Sequence, residues 1–218
     1  MSHHHSHEHD DHGSHNHGDS HDHSDEVVPA LQTLIYSQID FPKLRTLNEE
    51  QPDSGLGVVQ KPWGQRMDPE PSLVSDADEQ LLIFVPFTGS IRLHSILLRT
   101  SEDQSAPKTL KLFINKDDLD FATVEDLTPT QDLVLSQSSE VVEYPVRRAH
   151  FNNTYSLTLF VENNYGDETT RLSYIAFKGE HTKLSREPVE VLYEKAANPK
   201  DHELMTKLVQ GAASRHGT

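Results

Sequence analysis

The sequence contains no cysteine among its 218 residues. That absence excludes disulfide scaffolding, thiol catalysis, cysteine-based zinc sites and thioredoxin-type redox chemistry. No apolar run approaches the ~20 residues that a membrane helix requires, so we expect no membrane partner. The amino terminus is polar and acidic, unlike a signal peptide, which favours a cytoplasmic and nuclear protein.

Positive charge is also scarce. The chain has 19 lysines and arginines against 35 acidic residues, a formal net charge of −16, and residues 27–218 alone keep a net charge of −9. Nucleic acids and anionic membranes bind basic surfaces, so both are disfavoured as partners. The charge is compatible with a protein partner that presents Lys or Arg. We expect a monomer without a cofactor.

Residues 1–26 form a histidine-rich tail. They contain ten of the fifteen histidines and seven acidic residues, and their only apolar side chain is Met1. Such a segment cannot bury enough surface to offset chain entropy, which predicts disorder. Neutral imidazoles bind Zn²⁺, Ni²⁺ or Cu²⁺, so one hypothesis is metal handling; the other is a solvating or pH-sensitive tail. The candidate ligands are His3, His4, His5, His7, His9, His15 and His17.

Short β-rich runs separated by turns dominate the middle of the chain. They cover residues 81–87, 91–100, 110–115, 131–136, 140–146, 155–162 and 171–178. Apolar and polar residues alternate clearly in two of them, with Phe113 and Phe160 as exceptions, and Thr88-Gly89 is typical of a turn between the first two. The pattern predicts an all-β protein, an antiparallel β-sandwich of jelly-roll type.

Before these strands the signals differ. Apolar residues at roughly helical spacing predict a short amino-terminal helix over residues 27–41. Residues 48–72 contain four prolines and three glycines, which predicts a long loop without regular elements. The predicted organisation is therefore a tail over 1–26, a β-sandwich domain over 27–200, and a flexible segment over 201–218.

Several segments, in order and with similar spacing over residues 30–203, resemble the PITH domain family. They include Ser75-Asp76-Ala77-Asp78-Glu79-Gln80-Leu81-Leu82, Val85-Pro86-Phe87-Thr88-Gly89, Phe113-Ile114-Asn115 and Tyr174-Ile175-Ala176-Phe177-Lys178-Gly179-Glu180. The resemblance implies a galactose-binding-domain-like sandwich. A fusion member of the family joins this domain to a thioredoxin and docks on the proteasome regulatory particle, which implies the 26S proteasome as a partner here. The redox role cannot be transferred, because this chain has no cysteine.

Candidate partner-binding residues lie in two places. Trp63, the only tryptophan, stands between prolines and glycines, with Lys61 and Arg66 nearby. Trp and Arg are enriched at the energetic centres of interfaces, although Trp63 covering one end of the sandwich is the alternative. Further along, Tyr193 and Leu204 belong to two apolar clusters beyond the last predicted strand, and we expect these to contact a partner as well.

The sequence contains no G-x-S-x-G, phosphate-loop or G-x-G-x-x-G motif, so we expect no enzymatic activity. The leading hypothesis is a protein-interaction module. The alternatives are a small-ligand or carbohydrate-binding module, by analogy of fold alone, and metal handling through the tail.

Removing residues 1–26 should leave the melting temperature unchanged, because the segment has almost nothing to bury. Differential scanning calorimetry of the full and shortened chains would test this. A loss of several degrees on shortening would show that the tail packs on the domain.

Overall fold

The computed structural model describes Met1 and residues 33–182, and this part of the chain is mostly antiparallel sheet. Its strands are β1 (Arg45–Leu47), β2 (Leu73–Val74), β3 (Leu81–Arg99), β4 (Pro107–Ile114), β5 (Gln131–Val134), β6 (Val141–Pro145), β7 (Thr154–Asn164), β8 (Arg171–Leu172) and β9 (Tyr174–His181). Its helices are α1 (Ser54–Gln60) and α2 (Phe121–Asp126), with 3₁₀ turns at Tyr36–Gln38, Phe41–Lys43 and Trp63–Gln65. None of the helices described here has the length and apolar character needed to span a membrane.

Strand β3 belongs to both layers of the sandwich. Its first half lies in a five-stranded layer with the order β1-β3-β7-β4-β5, and its second half lies between β6 and β9. Ile91 pairs with Thr154 of β7 and also with His181 of β9, so it marks the point where the two layers meet. The β-sandwich predicted from sequence is thereby confirmed.

The predicted turn at Thr88-Gly89 is wrong. The two runs on either side of it form one continuous strand, and its pairing with β7 shifts register between Pro86 and Ile91. An irregularity of this kind bends a strand without ending it, and the backbone groups on each side still find partners in the ladder.

One core lies between the two layers. It takes Leu81, Ile83 and Val85 from the first half of β3, and Ile96 and Leu98 from the second half. These buried residues have odd numbers in the first half of β3 and even numbers after residue 95. The change occurs because the pairing of β3 with β9 shifts register between Leu93 and Ser95. Such a one-residue shift moves every following side chain to the opposite face.

A smaller core explains the two exceptions to alternation. Phe113 and Phe160 point away from the main core and are covered by α2, where they pack with Leu82 and Val124. The ring of Phe121 meets that of Phe160 edge-on, with the centroids 6.2 Å apart. Helix α2 thus buries the part of the outer face of the five-stranded layer around these rings, and such a face is often polar in an antiparallel sheet.

The predicted amino-terminal helix is wrong over its described part. Residues 33–39, here called the strap, pair with the sheet instead: Leu34 bridges to Lys178 and Ile39 to Phe87. The amide of Ile35 donates to the carbonyl of Phe177 at 3.1 Å. Ile35 and Ile39 flank a 3₁₀ turn in the strap, and both are buried. Their spacing of four residues therefore resembles that of a helix.

The loop predicted over 48–72 contains helix α1, so that prediction is also wrong in part. Val58 and Val59 of α1 are fully buried. The carboxylate of Glu49 accepts the amide N–H groups of Asp53 and Gly55 at 2.8 and 2.9 Å, which satisfies donors at the start of the helix. The burial of these valines and the capping by Glu49 stabilise the helix by more than its two glycines destabilise it.

Gly179→Ala should lower the free energy of unfolding by about 1–3 kcal/mol, because a Cβ there would lie 2.3 Å from the carbonyl oxygen of Arg92 on β3. Gly64→Ala is the matched control: no atom lies within 4 Å of its Cβ position, so we expect a change within about 0.5 kcal/mol. Urea unfolding measures both. Equal stability of the two variants would show that β3 and β9 are not in such close contact.

Candidate functional site: an apolar groove beside Trp63

An apolar groove opens between the strap, the loop after α1 and strand β9. Its volume is about 350 Å³, within the usual range for sites that hold a small ligand or a few side chains. Its lining residues are Leu34, Tyr36, Ser37, Ile39, Val59, Pro62, Trp63, Tyr174, Ala176 and Phe177.

Trp63 and Arg66 form a stacked pair at this groove. The guanidinium carbon of Arg66 lies 4.2 Å from the centroid of the Trp63 ring. Its Nη1 donates to the carbonyl oxygen of Trp63 at 3.0 Å, so a 3₁₀ turn holds the pair in one local arrangement. Both side chains are half-buried. The structure thus brings together two of the predicted partner-binding residues, and their binding of a partner stays a prediction.

Lys61, the third candidate of this stretch, is only 3% exposed. Its ammonium donates to the carbonyl oxygens of Asp68, Pro71 and Ser173 at 2.9, 2.8 and 2.6 Å. Burial, and secondarily the nearby charge of Arg99, lower the pKa of Lys61. The interpretation of Lys61 as a contact residue is therefore corrected: its ammonium fixes the loop of residues 61–71 against the start of β9.

Tyr36 forms the opposite wall. The residue is 43% exposed, and its ring lies 4.9 Å from the ring of Phe41, centroid to centroid. Its hydroxyl donates to the carbonyl oxygen of Gln60 at 2.9 Å, which connects the strap to the end of α1. Sequence reasoning did not select Tyr36, because the residue lies within the predicted amino-terminal helix.

Tyr174, at the start of β9, lies at the floor of the groove and is 1% exposed. Burial raises the pKa of Tyr174 to about 12, while the charge of Arg66 acts in the opposite direction. Its hydroxyl makes no hydrogen bond to any residue in the described part of the chain. Sequence reasoning missed it because the pattern marks position 174 only as a buried strand residue.

The remaining candidates lie outside the described residues. These are Tyr193 and Leu204, and the tail histidines His3, His4, His5, His7, His9, His15 and His17. Within residues 33–182 no group of three or more histidine or acidic side chains is arranged to hold a metal ion.

The architecture resembles solved sugar-binding domains. An f-lectin (fucolectin) from serum of Morone saxatilis, the striped bass, superposes with a TM-score of 0.51 at 6% identity, over 68% of this chain and 49% of that chain. The family 32 CBM from C. perfringens NanJ, solved with galactose, gives a TM-score of 0.47 at 7% identity, over 64% and 97%. The strand topology and the superposition on the f-lectin give the fold class, a jelly-roll β-sandwich.

Sequence comparison gives the family. The model of the PITH domain matches residues 25–197. PITH domain-containing protein 1 of Danio rerio is 40% identical over 172 residues, covering 78% of this chain and 81% of that protein. Its Homo sapiens counterpart is 38% identical over 170 residues, covering 77% and 80%. The chain belongs to the PITH domain family, as its sequence motifs predicted.

Lys61→Met should lower the free energy of unfolding by about 1–3 kcal/mol, because it leaves three carbonyl oxygens without their donor. The control is Lys43→Met: the Lys43 side chain is 74% exposed and forms a surface ion pair with Asp40, so a change within about 0.5 kcal/mol is expected.

Urea unfolding followed by circular dichroism measures both lysine variants, and the emission of Trp63 reports separately on the loop. If Lys61→Met proved as stable as Lys43→Met and left Trp63 emission unchanged, the buried ammonium would not be holding the loop.

Proposed function

We propose that this protein is a non-enzymatic protein-interaction module and that the groove beside Trp63 is its contact surface. The observation that carries the proposal is the stacked Trp63–Arg66 pair at the edge of an apolar groove. Trp, Tyr and Arg are enriched among the hot spots of protein interfaces, which cluster at the desolvated centre of the contact.

The loop that presents Trp63 is held in place before any partner binds. Lys61 fixes it through three carbonyl oxygens, and Arg66 closes the 3₁₀ turn by donating to the carbonyl of Trp63. A surface ordered in advance loses less conformational entropy on association, so more of the contact energy appears as affinity.

The chemistry of the lining supports binding rather than catalysis. Its titratable groups are the phenols of Tyr36 and Tyr174, and the latter keeps its proton well above neutral pH. General acid–base work at neutral pH needs a group whose pKa lies near that pH. The apolar lining also favours a protein side chain over a sugar, because sugars need paired polar groups beside a stacking ring.

We propose the 26S proteasome regulatory particle as the partner. The support is the family membership shown by the match over residues 25–197, together with the docking of a thioredoxin-fused member of the family on that particle. The cysteine-free sequence limits the shared property to docking, because no thiol is present to carry redox chemistry.

The test is capture of purified regulatory particle by the immobilised full-length chain. Trp63→Ala combined with Arg66→Ala should weaken capture about tenfold or more, since hot-spot truncations cost more than about 1 kcal/mol each. The matched control is Val134→Ala combined with Arg148→Ala, an exposed apolar residue and an exposed arginine on other elements.

Circular dichroism and melting curves must first show that both double variants are folded. If the folded Trp63/Arg66 variant captured the particle as well as wild type, the contact would lie elsewhere. If wild type captured none, the regulatory particle would not be the partner.

A further inference from the structure

We propose that the groove binds a peptide segment in which large apolar side chains adjoin a carboxylate, with the apolar side chains in the groove and the carboxylate on Arg66. This inference rests on the proposed function and specifies the chemistry of the segment that docks. It follows from the charges around the groove together with the unused donors beside it.

The apolar half of the site has a well-defined floor and walls. Ile39, Val59 and Phe177 are buried, so the floor is part of the main core. The walls are the rings of Tyr36 and Trp63. A leucine or phenylalanine side chain entering between these rings would remove apolar surface of both partners from water.

Arg66 supplies the charged half, because no carboxylate of the described residues pairs with it. One of its nitrogens donates to the carbonyl oxygen of Trp63, and a guanidinium carries five N–H donors, so most of them remain available. Carboxylates accept two parallel N–H groups from Arg, which makes this pairing directional.

The neighbouring charges are occupied by contacts within the protein. Arg99 donates to the carbonyl of Ser139 and the hydroxyl of Ser173, and Lys61 donates to carbonyls, so neither cation forms an ion pair with a described residue. The carboxylate of Glu70 is engaged by Arg171 at 2.5 Å. Besides burial, the charge of Arg99 lowers the pKa of Lys61, whereas the carboxylates of Asp68 and Glu70 raise it. The preference for an acid therefore rests on Arg66, which has no carboxylate partner among the described residues.

Tyr174 offers a further polar contact. Its hydroxyl, without a hydrogen-bond partner in the described part of the chain, belongs to a residue that lines the groove and is close enough to Arg66 for the two to interact electrostatically. Because it stays protonated at neutral pH, it can donate to a carboxylate or to a backbone carbonyl of the bound segment.

Trp63 is a built-in probe of this site, since it is the only tryptophan of the chain. The full-length protein is titrated with the capped octapeptide Gly-Ser-Leu-Leu-Asp-Glu-Gly-Ser while Trp63 emission is recorded, and calorimetry gives an independent affinity. Three control peptides replace Asp-Glu by Asn-Gln, Asp-Glu by Lys-Lys, or Leu-Leu by Ser-Ser.

The acidic–apolar peptide should change the emission in a saturable manner. The Asn-Gln peptide should bind roughly fivefold more weakly, the loss expected for one partly exposed ion pair. The Ser-Ser peptide should give no saturable change, because it leaves the apolar floor uncovered.

A charge exchange tests the role of Arg66 directly. Arg66→Glu should lower the affinity for the acidic peptide about tenfold and raise the affinity for the Lys-Lys peptide, because residue 66 would then repel a carboxylate and attract an ammonium. Arg148→Glu changes the net charge equally from an exposed turn outside the groove and should leave both affinities unchanged.

Either of two results would overturn the inference. One is that no peptide alters Trp63 emission or releases heat, as would also occur if another segment of this chain filled the groove. The other is that the acidic and Lys-Lys peptides bind equally well to the wild type. Proteasome capture that depends on Trp63 and Arg66 would then still support the proposed function. Conversely, peptide binding without proteasome capture would support the proposed peptide specificity of the groove and would exclude the regulatory particle as the partner.

Discussion

The bend in β3 between Pro86 and Ile91 is the constraint on which the rest of the structure depends. One continuous strand supplies pairing edges to β1, β6, β7 and β9, so both layers are fixed by a single stretch of backbone. The strap is attached at the same bend, through the bridge of Ile39 to Phe87 and the hydrogen bond from the amide of Asp40 to the carbonyl of Pro86. The wall of the groove is therefore positioned by the corner that defines the sandwich.

The buried ammonium of Lys61 is the second determinant of the groove. Placing a cation away from water is unfavourable unless its donors are satisfied, and here all three bonds go to backbone carbonyls. The same bonds connect a loop rich in Pro and Gly to Ser173, immediately before β9. A binding surface built on such a loop would otherwise be variable in shape, and the ammonium allows Trp63 to keep one orientation.

Strand alternation predicted the fold well, because each β-run buries one face in a common core. The exceptions at Phe113 and Phe160 were a usable signal that the outer face is covered too, here by α2. The site was only partly predictable: composition singled out Trp63 and Arg66, but nothing local shows that Lys61 meets Ser173, 112 positions away. Tyr36 and Tyr174 were missed for the same reason, since they line one groove only after the strap pairs with β9.

The charge of the whole chain and the charge at the groove have opposite consequences. A net charge of −16 repels an acidic segment at long range and favours basic partners, as the composition alone suggested. At contact distance the segment would instead meet Arg66, stacked on Trp63. Salt screens charges separated by more than a Debye length of about 10 Å at 0.1 M, but affects partly buried pairs much less. Moderate salt should therefore remove more of the repulsion than of the attraction, so that recognition rests on the local fit of the groove rather than on long-range steering.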